Sequence, residues 1–120
     1  MAFDWREYLT IAQYLQVQSS SEFSQEAAHR CAVSRAYYAA FCHARNYARD
    51  CQGFILTRDG NEHELVRSHF QHHGNMVVAN DLSQLRLWRN RCDYHDNSSN
   101  FALMLVGAIA GAQRMFESLR

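Results

Sequence analysis

No proline interrupts the 120 residues, and eight alanines (Ala27, Ala28, Ala32, Ala36, Ala39, Ala40, Ala44 and Ala48) crowd the stretch from 21 to 50. Alanine is the best helix former, and proline in a helix interior costs roughly 3 kcal/mol more. A chain so composed is free to run as long helices, and small side chains let neighbouring helices approach closely. The stretch from 21 to 50 therefore reads as the central helix of a bundle. Cys31, Tyr38, Phe41 and Cys42 supply bulk along one general side of it.

Helix starts are marked by a capping residue followed three positions later by Glu or Gln, because each side chain satisfies a backbone N–H of the first turn. Asp4 with Glu7, Asn61 with Glu64 and Asp81 with Gln84 fit that pattern, Ser20 or Ser21 can start the long helix, and Asn97-Ser98-Ser99 can start the last. The spacing predicts five helices at 4–18, 21–50, 61–73, 81–95 and 99–119. Gly53, Gly60 and Gly74 fall where loops are expected, and the connection from Cys51 to Gly60 carries Phe54, Ile55 and Leu56, apolar enough to pack back on the bundle. The expected fold is all-α, an up-and-down bundle of four or five helices in one domain spanning residues 1–120. There is no repeat or low-complexity tract.

The last segment is apolar nearly all round, with Leu103, Met104, Leu105, Val106, Ile109 and Ala110, and with Gly107 and Gly111 four apart. A helix without a wet face is either central in its own bundle or shared with another subunit. A homodimer is the expectation. The longest apolar run, Phe101 to Ala112, falls well short of the roughly 20 residues that span a bilayer, so no membrane segment is expected.

Hydrophobic content of 48% with 20% charged residues excludes a disordered chain, and a formal charge of zero excludes long-range attraction to nucleic acid. Any polyanion site must be local. All the basic residues are arginine, and Arg86, Arg89 and Arg91 are the densest group. Cys31, Cys42, Cys51 and Cys92 show no paired metal spacing, and the beginning Met1-Ala2-Phe3-Asp4-Trp5 has no apolar export signal. Reduced thiols and a cytoplasmic location are expected.

Chemistry concentrates in Arg89-Asn90-Arg91-Cys92-Asp93-Tyr94-His95-Asp96. Arginine presents a fixed fork of donors to phosphate oxygens, and histidine exchanges a proton near neutrality. Such a pair can cleave RNA without a metal: the imidazole deprotonates the 2′-hydroxyl, which attacks phosphorus while the guanidinium stabilises the growing charge. The same residues also make an ordinary surface network, since Arg89 and Asp93 are four apart. At about 100° per residue Arg91 and His95 share a helix face, whereas Arg89 and His95 differ by about 240°. An Arg89–His95 site therefore needs the helix to end or bend before His95, or a second chain to complete it.

The run Ser34-Arg35-Ala36-Tyr37-Tyr38-Ala39-Ala40-Phe41, then His63-x-x-Val66-x-x-x-Phe70, then Arg89-Asn90-Arg91-Cys92-Asp93-Tyr94 resembles the HEPN superfamily of small helical proteins across roughly residues 28 to 96. The resemblance implies a helical bundle, usually dimeric, in which an arginine, four to six residues and a histidine form a metal-independent ribonuclease site. Arg89 and His95 match that spacing, and Asn90 matches the polar residue that commonly follows the arginine. Arg91 does not match. In many such proteins two subunits bring their motifs into one cleft. One branch reads Arg-x-x-Ala-Asp-Tyr with no catalytic histidine, which this chain also approaches. In the toxin branch a tyrosine follows the histidine by two positions, where this chain has Asn97.

The roles expected on this basis are His95 as general base and then acid, with Asp93 or Asp96 raising its pKa. Arg89 holds the scissile phosphate and Asn90 donates to it or orients His95. Arg86 and Arg91 bind flanking phosphates, and Tyr94 supports the motif. Ser34, Arg35 and Tyr38 line the cleft from the second helix, although Tyr37 and Tyr38 also read as core residues with satisfied hydroxyls. The implied partners are RNA, a second copy of the chain and a small nucleotidyltransferase antitoxin, with no cofactor. The competing expectation is a noncatalytic module that binds RNA, a nucleotide or that partner. His63, His69, His72 and His73 place imidazoles at helical spacing, but no cysteine or carboxylate completes a convincing zinc set, and no metal is expected.

Overall fold

The computed structural model describes residues 2–57 and 61–120, so the expected loop glycine Gly60 lies outside the described residues. The chain is all-α. Helices α1 (Arg6–Val17), α2 (Gln25–Cys51), α3 (Glu62–His72), α4 (Met76–Tyr94) and α5 (Phe101–Ser118) form a bundle, with no strand among the described residues. α2 is the axis: it packs against each of the other helices. Its alanines Ala32, Ala36, Ala39, Ala40, Ala44 and Ala48 are wholly enclosed, as their size allows. Around them Tyr37, Phe70, Leu85, Leu105 and Met115 complete one core that draws on every helix.

Several helix starts fall elsewhere than the sequence predicts. α2 begins after Ser24, whose hydroxyl accepts from the Ala27 N–H at 3.0 Å, while Ser20 is spent in a turn with the Glu22 N–H. α1 begins at Arg6 because Asp4 bonds the Arg6 N–H rather than one deeper in the helix. Asn61 does precede α3 but makes no side-chain cap.

α4 begins at Met76 instead of 81. Gly74, at φ 77°, turns the chain sharply after α3, and the Asn75 side chain then accepts from the Val78 N–H at 3.2 Å. Asp81 is consequently inside the helix, where it pairs with Arg114 of α5 at 2.9 Å and 3.1 Å. α5 likewise starts not from a serine cap but from Asn100, whose left-handed φ of 64° reverses the backbone. Asparagine tolerates that region better than most side chains.

Three packing expectations also change. Cys31 is exposed, beside Leu15, Phe23, Ala27 and Ala28, while Cys42 is buried in the core. Phe54 packs on the core, but Ile55 stands in solvent. α5 buries Met104, Leu105 and Ile109, whereas Leu103 is 71% and Val106 56% exposed, so its outer face is apolar and uncovered. The helix is thus not enclosed within its own bundle. No described helix is long and apolar enough to cross a membrane.

Candidate functional site

The last turn of α4 faces the middle of α2, and this brings the two conspicuous sequence motifs together. Arg89 points inward and is only 7% exposed. Its guanidinium carbon lies 5.4 Å from the Tyr37 ring centre, 5.4 Å from that of Tyr38 and 5.6 Å from that of Tyr94. Nη1 donates to the Tyr94 hydroxyl at 3.3 Å and stands 3.8 Å from Asp93 Oδ2, while Nε is buried with no partner. A cation enclosed by ring faces is held by their quadrupoles and by Asp93, and its unpartnered Nε is an unmet donor. Asp93 is shared: Ser34 Oγ donates to it at 3.1 Å, and Arg35 Nη2 donates to Ser34 Oγ at 3.3 Å. Arg35 itself lies over the Tyr8 and Tyr38 rings. Ser34, Arg35, Tyr38, Arg89, Asp93 and Tyr94 therefore form one connected cluster.

The helix ends at Tyr94. His95 is its capping residue, extended at φ −103° and ψ 115°, with its N–H on the Arg91 carbonyl at 3.2 Å. That bond keeps the His95 Cα on the helical course, so its angular separation from Arg89 persists and only the chain beyond His95 turns away. Its side chain is exposed, and among the described residues no hydrogen bond or ion pair joins the His95 ring to Arg89, Asp93 or Asp96. Asp93 is engaged with Ser34 and Arg89.

Arg30 of α2 organises this helix end. Its Nη1 donates to the carbonyls of Cys92 at 2.9 Å and His95 at 2.8 Å, and Nη2 donates to that of Asp96 at 3.2 Å. Nε pairs with Glu26 at 3.0 Å, and the guanidinium lies over Phe101. These carbonyls have lost their helical partners, so a charged donor is well placed there. In the sequence Arg30 shows only the i,i+4 relation to Glu26, which hides the longer reach.

The other expected residues separate. Arg91 is exposed and lines a shallow pocket with Trp88, Ser98, Ser99 and Leu103, on the α5 side of α4. Arg86 and Asn90 face the opposite side, in a cleft of about 320 Å³ between α2, α3 and α4 that is also lined by Tyr37, Phe41, His63 and Ser83. His63, read in the sequence as part of the family resemblance and as a possible metal ligand, is a site residue of this cleft. Its Nδ1 is hydrogen-bonded to the Tyr37 hydroxyl, and its ring stacks on Phe41 with centres 4.3 Å apart. Burial, reinforced by Arg86 and Arg89, holds the His63 pKa below its ordinary value, with Glu62 opposing. Burial also raises the Tyr37 pKa well above that of a free tyrosine, against the pull of Arg86 and Arg89, so its proton stays on.

His69 and His73 are engaged with their own surroundings, and two of the four thiols are buried. His69 Nε2 bonds Gln52 Oε1 at 2.8 Å, and His73 Nδ1 bonds the His69 carbonyl at 2.7 Å. The described residues contain no group of three potential ligands arranged to hold a metal ion. All the cysteines are free, and burial pushes the thiols of Cys42 and Cys92 up to about 11.

The geometry thus defines an all-α bundle with a tyrosine-caged arginine at the end of α4 and an adjoining polar cleft. Comparison with protein-family models, with curated proteins and with solved structures finds no match to this chain.

Proposed function

We propose that the protein is a HEPN-like, metal-independent endoribonuclease, a toxin or defence component acting as a homodimer. The observation that carries this reading is that α4 brings Arg89, Asp93 and Tyr94 against Ser34, Arg35 and Tyr38 of α2, while His95 at the helix end is exposed and has no side-chain hydrogen bond among the described residues. His95 takes the 2′-hydroxyl proton, the oxygen attacks the adjacent phosphorus, and the 5′-oxygen leaves with a proton returned by the imidazole. The products are a 2′,3′-cyclic phosphate and a 5′-hydroxyl. Arg89 supplies positive charge beside the reacting phosphate, and Asn90 and Arg86 extend the polar surface toward the cleft. The exposed apolar face of α5 supports pairing with a second copy.

A second reading has its own observation. The Arg89 guanidinium is already bracketed by three rings and Asp93, an arrangement that fastens α4 to α2 and leaves little of it for a phosphate. On this reading the chain is a noncatalytic module that binds RNA, a nucleotide or a small nucleotidyltransferase partner.

Cleavage of labelled single-stranded RNA in EDTA separates them. Cyclic phosphate ends from the wild type, with loss of cleavage in His95→Ala and Arg89→Ala, support the enzyme. An inactive, folded wild type selects the binding module.

A further inference from the structure

The α2–α3–α4 cleft holds polar groups that the fold does not use. Among the described residues Arg86 makes no hydrogen bond or ion pair, in contrast to Arg67 at the same cleft, which is paired with Glu64. Ser83 and Asn90 on the same wall carry no side-chain hydrogen bond either, and add a hydroxyl and an amide. His63 is different again: Phe41 and Tyr37 both stack on its ring, and the Tyr37 hydroxyl occupies Nδ1. Among the described residues its Nε2 has no partner. A histidine oriented by a second group through one nitrogen presents the other in a fixed direction.

We infer that this cleft is a binding site for a tetrahedral phosphate group, taken by the Arg86 guanidinium and the Nε2 edge of His63. At about 320 Å³ it lies at the small end of the roughly 300–1,000 Å³ of ligand pockets, enough for a phosphate and part of the group it is attached to. The guanidinium fork matches two phosphate oxygens, and Ser83 and Asn90 are positioned along the same wall for others. Among the described residues the one carboxylate lining the cleft, Glu64, is neutralised by Arg67 and also accepts from Ser68. The inference goes beyond RNA cleavage and does not depend on it, since a protein that cuts nothing can hold a phosphate.

Protonation is coupled to such binding. Among the described residues the groups facing His63 are Tyr37 and Tyr38 from α2, Glu62, Glu64 and Arg67 from α3, and Arg86 and Arg89 from α4. Burial first, and then the two α4 cations, hold the His63 pKa below its ordinary value. A dianion in the cleft offsets those cations and favours the imidazolium.

The test follows the His63 ring resonances by NMR, assigned with His63→Gln, through a pH titration in chloride and in sulfate at equal ionic strength. Sulfate is the probe because its own charge is constant over this range. Sulfate should raise the His63 midpoint by about one pH unit, equivalent to tenfold tighter binding by the protonated form. Arg86→Gln, a substitution between comparable helix formers, should abolish the movement, and Arg86→Lys should reduce it. Repeating the titration with uridine 5′-monophosphate and with a dinucleoside monophosphate distinguishes the source. Movement by the first alone identifies a terminal phosphate; movement by both identifies the RNA backbone. No movement with any of the three ligands, or movement that survives Arg86→Gln, overturns the inference.

Discussion

Ser34 and Asp93 are joined by a 3.1 Å hydrogen bond that ties the centre of α2 to the last turn of α4. Asp93 is also the carboxylate nearest Arg89, so the hydroxyl helps hold the counter-ion of the caged guanidinium. Ser34→Ala leaves the carboxylate with one partner fewer and is expected to destabilise the fold by about 1–2 kcal/mol. Urea unfolding measures this; a midpoint equal to that of the wild type would show that the bond contributes nothing.

Arg30→Ala removes donors from three carbonyls at once. A hydrogen bond to a charged group contributes roughly 1.5–3 kcal/mol, but these share one partly exposed side chain, and a total loss of about 2 kcal/mol is expected. Amide exchange at Tyr94 and the capping His95 should accelerate more than in the rest of α4. Uniform acceleration along the helix would instead mean that Arg30 acts only on global stability.

Gly107 and Gly111 of α5 should respond to alanine in opposite senses. A Cβ at Gly107 would meet the Trp88 ring at 2.5 Å and 2.9 Å, and the overpacking should cost about 1–3 kcal/mol. At Gly111 the nearest atoms are 3.6 Å away, ordinary contact, and alanine should add about 0.5–1 kcal/mol through helix propensity. Thermal unfolding of the two variants is sufficient, and equal shifts would contradict the packing.

Stability should fall as the solution is acidified below neutrality. His43, His63 and His69 all have pKa values held below their ordinary one, with burial the first cause in each. The unfolded chain therefore binds more protons than the folded one between the folded pKa values and about 6.5. The stability from keeping these rings neutral is fully present above about 6.5 and is lost as the pH falls through the folded values. Urea midpoints in buffers free of phosphate and sulfate should decline from about pH 7.5 to about pH 5.5. An unchanged midpoint across that interval would refute the linkage.

Replacing Leu103 and Val106 together by Glu should convert the proposed dimer to monomer with little loss of helix, since both side chains stand in solvent in the single chain. Sedimentation reads the outcome directly. A wild-type chain that sediments as a monomer removes the dimer from the proposal, and a variant that stays dimeric moves the interface off α5.

The fold was legible because proline is absent and alanine spacing is helical, both of which act through local backbone energetics. Helix starts were less so. Asp81 and Gln84 imitate a capping box, but the decision was made upstream by Gly74 and Asn75, and Asp81 found its partner in Arg114. At the candidate site, the angle between Arg89 and His95 posed the right question, and within one chain the His95 ring makes no hydrogen bond to the Arg89 cluster among the described residues. The inward burial of Arg89, the reach of Arg30 and the pairing of Tyr37 with His63 join residues far apart in the chain, where periodicity carries no information.

The Arg30 clamp also changes where the shape of the segment after α4 is encoded. His95 and Asp96 are exposed and make few side-chain commitments of their own. Their backbone course is instead dictated by one guanidinium 65 and 66 residues earlier in the chain. Substitutions within this tip are therefore free to vary its chemistry while its path persists, whereas a change at the distant position 30 alters the path and leaves the chemistry in place.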